Sequence, residues 1–164
     1  MLEYLLSDIE KALNNKLYFI ALQSTLTIPD ICSALESDNG KTDGKSYAKW
    51  YDKNVKKEND YMTGDDCYFY RCSCIHQGVS CNPKMNYTRV LFLYPNTHHT
   101  FHNNKLNDVL NIDLIIFCQQ MIMACKRWLN INTDNPVVNK NYEKLMKVYP
   151  NGIQPYIVGV PVIG

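Results

Sequence analysis

The sequence predicts a mostly α-helical protein, a single bundle of about five helices that is compatible with a small two-stranded β ribbon. The prediction depends on three observations. Apolar residues recur at steps of three and four near the N-terminus, a central segment has clear signals for a helix start and end, and a long apolar run lies further along. A chain of 164 residues without an internal repeat corresponds to one domain, residues 1–164.

The N-terminal third of the chain is predicted to be helical. Residues 2–25 carry periodic apolar positions and form one helix or two abutting helices, with the break at Asn14 and Asn15. Pro29 suits the first turn of a following helix, which ends in the polar stretch 37–40. From residue 46 to Val55, aromatic residues keep a helical period opposite a lysine-rich face, which predicts an amphipathic surface helix.

Residues 64–77 form the predicted helix with the clearest ends. Thr63 and Asp66 have the spacing of a capping box, in which each residue bonds the backbone of the other. Gly78 follows the segment, and glycine is the usual residue just past the end of a helix.

The C-terminal half is predicted to hold one strand and two helices. Thr88–Tyr94 is short, β-branched and aromatic, and its expected partner is Tyr156–Val160. Residues 107–129 are predicted to form the longest helix, apolar on nearly every side and central in the core. Tyr142–Val148 is predicted to form a short last helix.

Composition excludes several classes of function. Seventeen basic against sixteen acidic residues give a net charge of +1, so any site for nucleic acid must be a local patch. No apolar run reaches the roughly 18 residues of a membrane span. The N-terminal segment does not resemble a secretory signal, and seven scattered cysteines suit a reducing compartment, so we expect a cytoplasmic protein. Phosphate-loop and dinucleotide motifs are absent, and no cofactor is expected.

The clearest candidate for chemistry is segment 71–76, whose sequence is RCSCIH. Arg71 carries a permanent positive charge and can form two hydrogen bonds with a phosphate. His76 can accept and donate protons near neutral pH. Such a pair suits phosphodiester chemistry without a metal ion.

This segment resembles the Arg-x4–6-His signature of the HEPN superfamily, with Cys72 at a position where the family often has Asn, Asp or His. The resemblance implies a small four- or five-helix bundle from a bacterial defence or toxin system. Many members are metal-independent endoribonucleases, which implies catalytic roles for Arg71 and His76. Members dimerise with two motif copies in one cleft, which implies a homodimer with the 64–77 helix near its two-fold axis.

Three neighbours of the pair, Tyr70, Ser73 and Gln77, are candidates for substrate binding.

On an ideal helix, side chains five residues apart diverge by roughly 140°. Arg71 and His76 therefore need not meet within one chain, and unwinding of the helix end toward Gly78 is one way in which they could converge.

A purely structural interpretation also remains open. In it, Arg71 bonds Asp65, Asp66 or a backbone carbonyl, and His76 lies near the helix C-terminus, where a positive charge is favoured.

Two other kinds of site remain open. Zinc prefers four sulfur or nitrogen ligands, and residues 72–81 supply them at Cys72, Cys74, His76 and Cys81, although without a Cys-x2-Cys pair. A second set of possible metal ligands lies in a predicted loop, at His98, His99 and His102. Among the cysteines of the predicted helix 64–77, Cys67 is the one near the N-terminus. The helix dipole lowers the pKa of a thiol there, which makes Cys67 a candidate nucleophile.

The sequence therefore leaves two hypotheses of different classes. The first is an endoribonuclease, or a protein that binds RNA without cleaving it. The endoribonuclease would leave a 2′,3′-cyclic phosphate, and chelators would not inhibit it. The second is a non-enzymatic helical module that binds a protein partner. Only the first requires Arg71 and His76 to share a solvent-exposed cleft.

Overall fold

The computed structural model describes residues 1–95 and 101–164, and it shows a mixed α/β protein rather than a purely helical one. About 50% of the chain is helical. The helices within these residues are α1 (Leu2–Asn14), α2 (Tyr18–Thr25), α3 (Ile28–Glu36), α4 (Gly44–Asn54), α5 (Gly64–Gln77), α6 (Leu114–Ile131) and α7 (Pro136–Tyr142). The strands are β1 (Arg89–Leu93), β2 (Asn104–Leu106), β3 (Val109–Asp113), β4 (Val148–Tyr149), β5 (Gly152–Ile153), β6 (Ile157–Val158) and β7 (Val162–Ile163).

The N-terminal helices follow the predicted pattern. Residues 2–25 form two helices, and the chain turns between them at Lys16, which has a positive φ of 60°. Pro29 occupies the first turn of α3, as expected. Asp43 begins α4 by accepting a hydrogen bond from the Ser46 backbone N–H.

The strand predicted at 88–94 is confirmed as β1, but its predicted partner is wrong. It pairs in parallel with β3, and β2 pairs with the other edge of β3, giving the order β1-β3-β2. The C-terminal segment forms its own two-stranded sheets, β4 with β7 and β5 with β6. Parallel pairing over this separation leaves no local turn signal for sequence reasoning to detect.

The predicted helix 107–129 is wrong in its first third. Residues 109–113 form β3, in which Leu110 and Ile112 are buried and their neighbours are not. Helix α6 begins only after Asp113, whose carboxylate accepts from the Ile116 backbone N–H. A strand that leads directly into a helix merges two apolar patterns into one run, and the transition is hidden in the sequence.

The last helix also lies earlier than predicted. Helix α7 spans Pro136–Tyr142, not 142–148, and Asn135 caps it by accepting from two backbone N–H groups. Asn141 fixes α7 to the end of α3 because its Nδ2 donates to the carbonyls of Leu35 and Ser37.

The hydrophobic core surrounds α6. Phe117, Met121 and Trp128 are almost completely buried, and the Trp128 ring lies edge-on to Trp50 of α4. The last fully packed apolar residue along the chain is Val138. Among the residues described, no helix is long and apolar enough to span a membrane.

Candidate functional site

Helix α5 carries the candidate site, and both of its ends are fixed as predicted. The Thr63 hydroxyl accepts from the Asp66 backbone N–H, and the Asp66 carboxylate accepts from the Thr63 backbone N–H. The carboxylate of Asp66 also accepts two hydrogen bonds from Asn86. Gly78 ends the helix in the left-handed conformation, with a φ of 69°.

The start of α5 packs directly on the backbone of α4. Gly64 is buried, and a Cβ atom built on it would lie 2.1 Å from the carbonyl oxygen of Ala48. Only glycine permits this approach. The contact sets the position of α5, and therefore of the residues that it carries, relative to α4.

Arg71 and His76 meet within one chain. Arg71 Nη1 lies 3.2 Å from His76 Nε2, in a partly exposed region at the C-terminal end of α5. The helix end does not unwind to allow this contact, since α5 stays helical through Gln77. The flexible arginine side chain spans the angular gap instead.

Asp30 of α3 holds the other edge of the guanidinium. Arg71 Nε donates to Asp30 Oδ2 at 2.9 Å, and the two side chains are 20% and 18% exposed. The structural interpretation predicted that Arg71 bonds an acidic side chain or a backbone carbonyl. Arg71 does bond an acidic side chain, but the partner is Asp30 and not Asp65 or Asp66. Asp30, Arg71 and His76 together form what we call the Asp30 cluster.

Burial and nearby charge act in opposite directions on the pKa of the Asp30 carboxyl. Partial burial raises the pKa of Asp30, and the nearby guanidinium of Arg71 only partly opposes that rise. Burial alone would lower the pKa of Arg71, but Asp30 and Cys72 raise it overall. Arg71 therefore stays charged, while Asp30 takes up a proton more readily than an exposed aspartate.

The raised pKa predicts how the stability of Asp30→Asn compares with wild type as pH changes. The folded state holds this proton more tightly than the unfolded state, so the contribution of Asp30 to stability is greatest below its unfolded pKa and falls as pH rises through the folded value. On acidification from pH 7 to pH 3.5, wild type should therefore gain stability relative to Asp30→Asn. Urea unfolding midpoints measure the difference, and a relative loss would mean that the ion pair outweighs burial.

The predicted substrate-binding residues do not gather at the cluster. Ser73 is 1% exposed and its hydroxyl accepts from Asn82 Nδ2, while Tyr70 is buried with its ring against Phe92. Both predictions need correction, because these side chains serve packing and hydrogen bonding inside the protein. Gln77 is exposed next to His76.

A scan against family models finds no match for this chain, and no curated protein or solved structure is significantly similar to it. The resemblance to the HEPN superfamily therefore depends on Arg71, His76 and the helix that carries them.

The alternatives based on cysteine and histidine gain no support. Among the residues described, no three His, Cys, Asp or Glu side chains are grouped as a metal site would require. Burial raises the pKa of the Cys67 thiol to about 12, which makes it a poor nucleophile near neutral pH. His98 and His99 lie outside the described residues. His102 is half-buried, and burial lowers its pKa.

Two contacts near Arg71 were not predicted from the sequence, that of Asp30 with Arg71 and that of Tyr68 with Cys72. Asp30 lies 41 residues before Arg71, and an acidic residue in the first turn of a helix is already explained by the helix dipole. Tyr68 hydrogen-bonds to Cys72, which raises the pKa of the Tyr68 hydroxyl. Neither contact leaves a sequence signal, since the first is long-range and the second depends on side-chain conformation.

Proposed function

We propose that the Asp30 cluster binds RNA and cleaves its phosphodiester bonds without a metal ion. The observation that supports this most directly is the 3.2 Å contact between Arg71 Nη1 and His76 Nε2. It places an anion-binding group and a proton-transfer group within reach of one phosphate. Asp30 holds the guanidinium by Nε, which leaves Nη1 for the contact with the histidine.

The contact defines the resting state of His76. A guanidinium only donates hydrogen bonds, so His76 Nε2 is the acceptor in this hydrogen bond, which corresponds to the tautomer with its proton on Nδ1. A phosphate that binds Arg71 would draw Nη1 away from this lone pair. Substrate binding would thereby free Nε2 to act as a base, whereas the resting contact keeps it occupied.

The proposed reaction is an internal transesterification. His76 Nε2 takes the proton of a ribose 2′-hydroxyl, and the 2′-oxygen forms a bond to the adjacent phosphorus. The bond from phosphorus to the 5′-oxygen breaks, and solvent supplies the proton of the leaving alcohol. Arg71 stabilises the negative charge that develops on the phosphorane oxygens. The products are a 2′,3′-cyclic phosphate and a 5′-hydroxyl end.

A cleavage assay tests the proposal directly. Purified protein is incubated with labelled single-stranded RNA in the presence of a chelator, and the product ends are identified by mass spectrometry. The expected result is cleavage that the chelator does not reduce, with 2′,3′-cyclic phosphate ends. Cleavage that needs a divalent metal ion, or that leaves 5′-phosphate ends, would contradict this mechanism.

We also propose a homodimer with α5 near its two-fold axis. Phe19 of α2 is 80% exposed, and it lines the same cleft as Cys74 of α5 and Val79 just beyond it. An exposed aromatic side chain next to the motif helix is suited to an isologous contact, in which each motif faces its copy.

Light scattering measures this association. Wild type at high micromolar concentration is expected to have twice the 19.0 kDa mass of the chain, and Phe19→Lys is expected to return it to the monomer mass. Ile131→Lys is the matched control, because Ile131 is equally exposed but lies at the end of α6. A wild-type monomer would contradict the proposal, as would a Phe19→Lys dimer.

A second candidate function, binding of a protein partner, is favoured by the C-terminal sheets. Tyr156, Val158 and Ile163 are 86%, 63% and 73% exposed, which leaves several apolar side chains in contact with water. Surfaces of this kind mark interaction sites. Absence of cleavage together with loss of partner binding on Tyr156→Ser would favour this function over the first.

A further inference from the structure

A polar cleft of about 440 Å³ lies between α3, α4 and the segment that joins α6 to α7. On the α4 side, the cleft is lined by Ser46, Lys49, Trp50 and Lys53. The last three lie three, four and seven positions after Ser46, so all four residues share one face of the helix. Glu36 and Ser37 of α3 line the opposite wall. The cleft shares no residue with the Asp30 cluster.

The two lysines of this wall have no charged partner. The ion pairs found among residues 1–95 and 101–164 use other lysines, and neither Lys49 nor Lys53 forms a side-chain hydrogen bond there. Residues four apart on a helix lie on the same side of it. Within the part of the chain that the structure describes, the cleft therefore presents two ammonium groups that form no ion pair, those of Lys49 and Lys53.

Trp50 supplies an independent observation. The side chain is 1% exposed, and its indole Nε1 is buried without a hydrogen-bond partner in the described part of the chain. The other tryptophan differs, since Trp128 Nε1 donates to Glu36 Oε1 at 2.7 Å. An indole nitrogen can only donate. A buried donor without an acceptor is unfavourable. Trp50 lines the cleft, so an acceptor oxygen of a ligand bound there is a candidate partner for this donor.

The wall formed by α3 carries a carboxylate, that of Glu36, where the α4 wall carries ammonium groups. One oxygen of Glu36 accepts from Trp128, and the other, Oε2, has no hydrogen-bond partner among the residues described. A ligand that fills the cleft must therefore present acceptor oxygens toward α4 and a hydrogen-bond donor toward α3. A nucleotide meets the two conditions with separate groups, its phosphate and its ribose hydroxyls, whereas inorganic phosphate has only one small group to meet both.

We propose that this cleft binds the phosphate of a small nucleotide against Ser46, Lys49, Trp50 and Lys53, with the nucleoside directed toward Glu36. The cleft volume lies within the range of about 300–1,000 Å³ that is typical of small-molecule sites. The two ammonium groups balance the charge of the phosphate, and charge-assisted hydrogen bonds of this kind are the stronger ones in proteins. The site is separate from RNA cleavage and does not depend on it.

Nuclear magnetic resonance of the indole N–H groups tests the proposal, because the chain has only two tryptophans. After assignment, the full-length protein is titrated with adenosine 5′-monophosphate at constant ionic strength. The expected result is a saturable downfield shift of the Trp50 signal that is larger than any shift of Trp128. No saturable change at Trp50 with this nucleotide would overturn the proposal.

Variants on the exposed lysines keep the test independent of folding. Lys49→Gln combined with Lys53→Gln should weaken nucleotide binding by at least about tenfold. Lys45→Gln is the matched control, an exposed lysine on the same helix that does not line the cleft, and it should bind as wild type does. Unchanged affinity in the double variant would overturn the assignment of the phosphate to α4.

Two further titrations distinguish the sources of the phosphate. Inorganic phosphate should bind at least about tenfold more weakly than the nucleotide, because it lacks the ribose hydroxyls that would donate to Glu36 while the phosphate contacts α4. Equal affinity would overturn the nucleotide assignment, and tighter binding of a short RNA would assign the cleft to the RNA backbone instead. Arg71→Ala should leave nucleotide binding unchanged, which separates this result from the outcome of the cleavage assay.

Discussion

His76→Ala is expected to lower the rate of RNA cleavage by about 10²–10⁴-fold, the range typical of a lost proton-transfer residue. Arg71→Ala is expected to have an effect of similar size, because it removes the charge that stabilises the phosphorane. Single-turnover cleavage of a labelled RNA measures both rates. The two variants differ in stability. His76 is exposed, whereas loss of Arg71 leaves the partly buried Asp30 without its partner.

Two conservative variants separate proton transfer from positioning. His76→Gln keeps a side-chain acceptor for Arg71 but cannot accept a proton at neutral pH, so we expect it to be as inactive as His76→Ala. Arg71→Lys keeps the charge, but one ammonium group cannot reproduce the planar geometry that contacts Asp30 and His76 at once. It is expected to recover only a small part of the activity.

The matched control is Arg127→Ala, which removes an exposed arginine from α6, a helix that carries no residue of the Asp30 cluster. It should cleave RNA at the wild-type rate. Cleavage that survives both His76→Ala and Arg71→Ala would show that the pair has a structural role. A melting temperature that collapses in His76→Ala would lead to the same conclusion.

Gly64→Ala is expected to destabilise the protein by about 3 kcal/mol, although alanine normally stabilises a helix relative to glycine. The new methyl group would lie 2.1 Å from the carbonyl oxygen of Ala48, and helix backbones cannot yield as a flexible side chain can. Either α4 and α5 separate or the start of α5 unwinds. Urea denaturation measures the change in the free energy of unfolding.

Asp65→Ala is the matched control for Gly64→Ala. It alters the next residue of the same helix turn, but its side chain is exposed, so a change well below 1 kcal/mol is roughly what the lost helix-dipole interaction allows. A Gly64→Ala protein as stable as wild type would show that the two helices do not pack as closely as described.

The parts of the fold that could be predicted from sequence are those set by local interactions. The Thr63 capping box and the Gly78 stop each depend on residues within a few positions, and both ends of α5 were predictable to the residue. The strand β1 was predictable for the same reason. Its parallel pairing with β3 was not, because that register is decided by burial of residues far apart in the chain.

The candidate site shows the same division. The sequence identifies Arg71 and His76 by residue type and spacing, but it predicts their separation from ideal helix geometry, which ignores the reach of the arginine side chain. Asp30 could not be predicted, since its contact with Arg71 depends on the packing of α3 against its neighbours. Ser73 and Tyr70 are polar residues on a partly polar helix, and only the tertiary structure shows that both are buried.

The ion pair between Arg71 and Asp30 has a consequence for how this chain can change through evolution. Arg71 joins two helices and also contacts His76, so under the proposed function it would serve folding as well as chemistry. His76 is exposed and would serve only the proposed chemistry. A descendant that lost its activity would be free to replace the histidine, whereas the arginine would persist together with its aspartate. A surviving arginine in a related sequence would therefore be poor evidence of function, and a surviving histidine would be much better evidence.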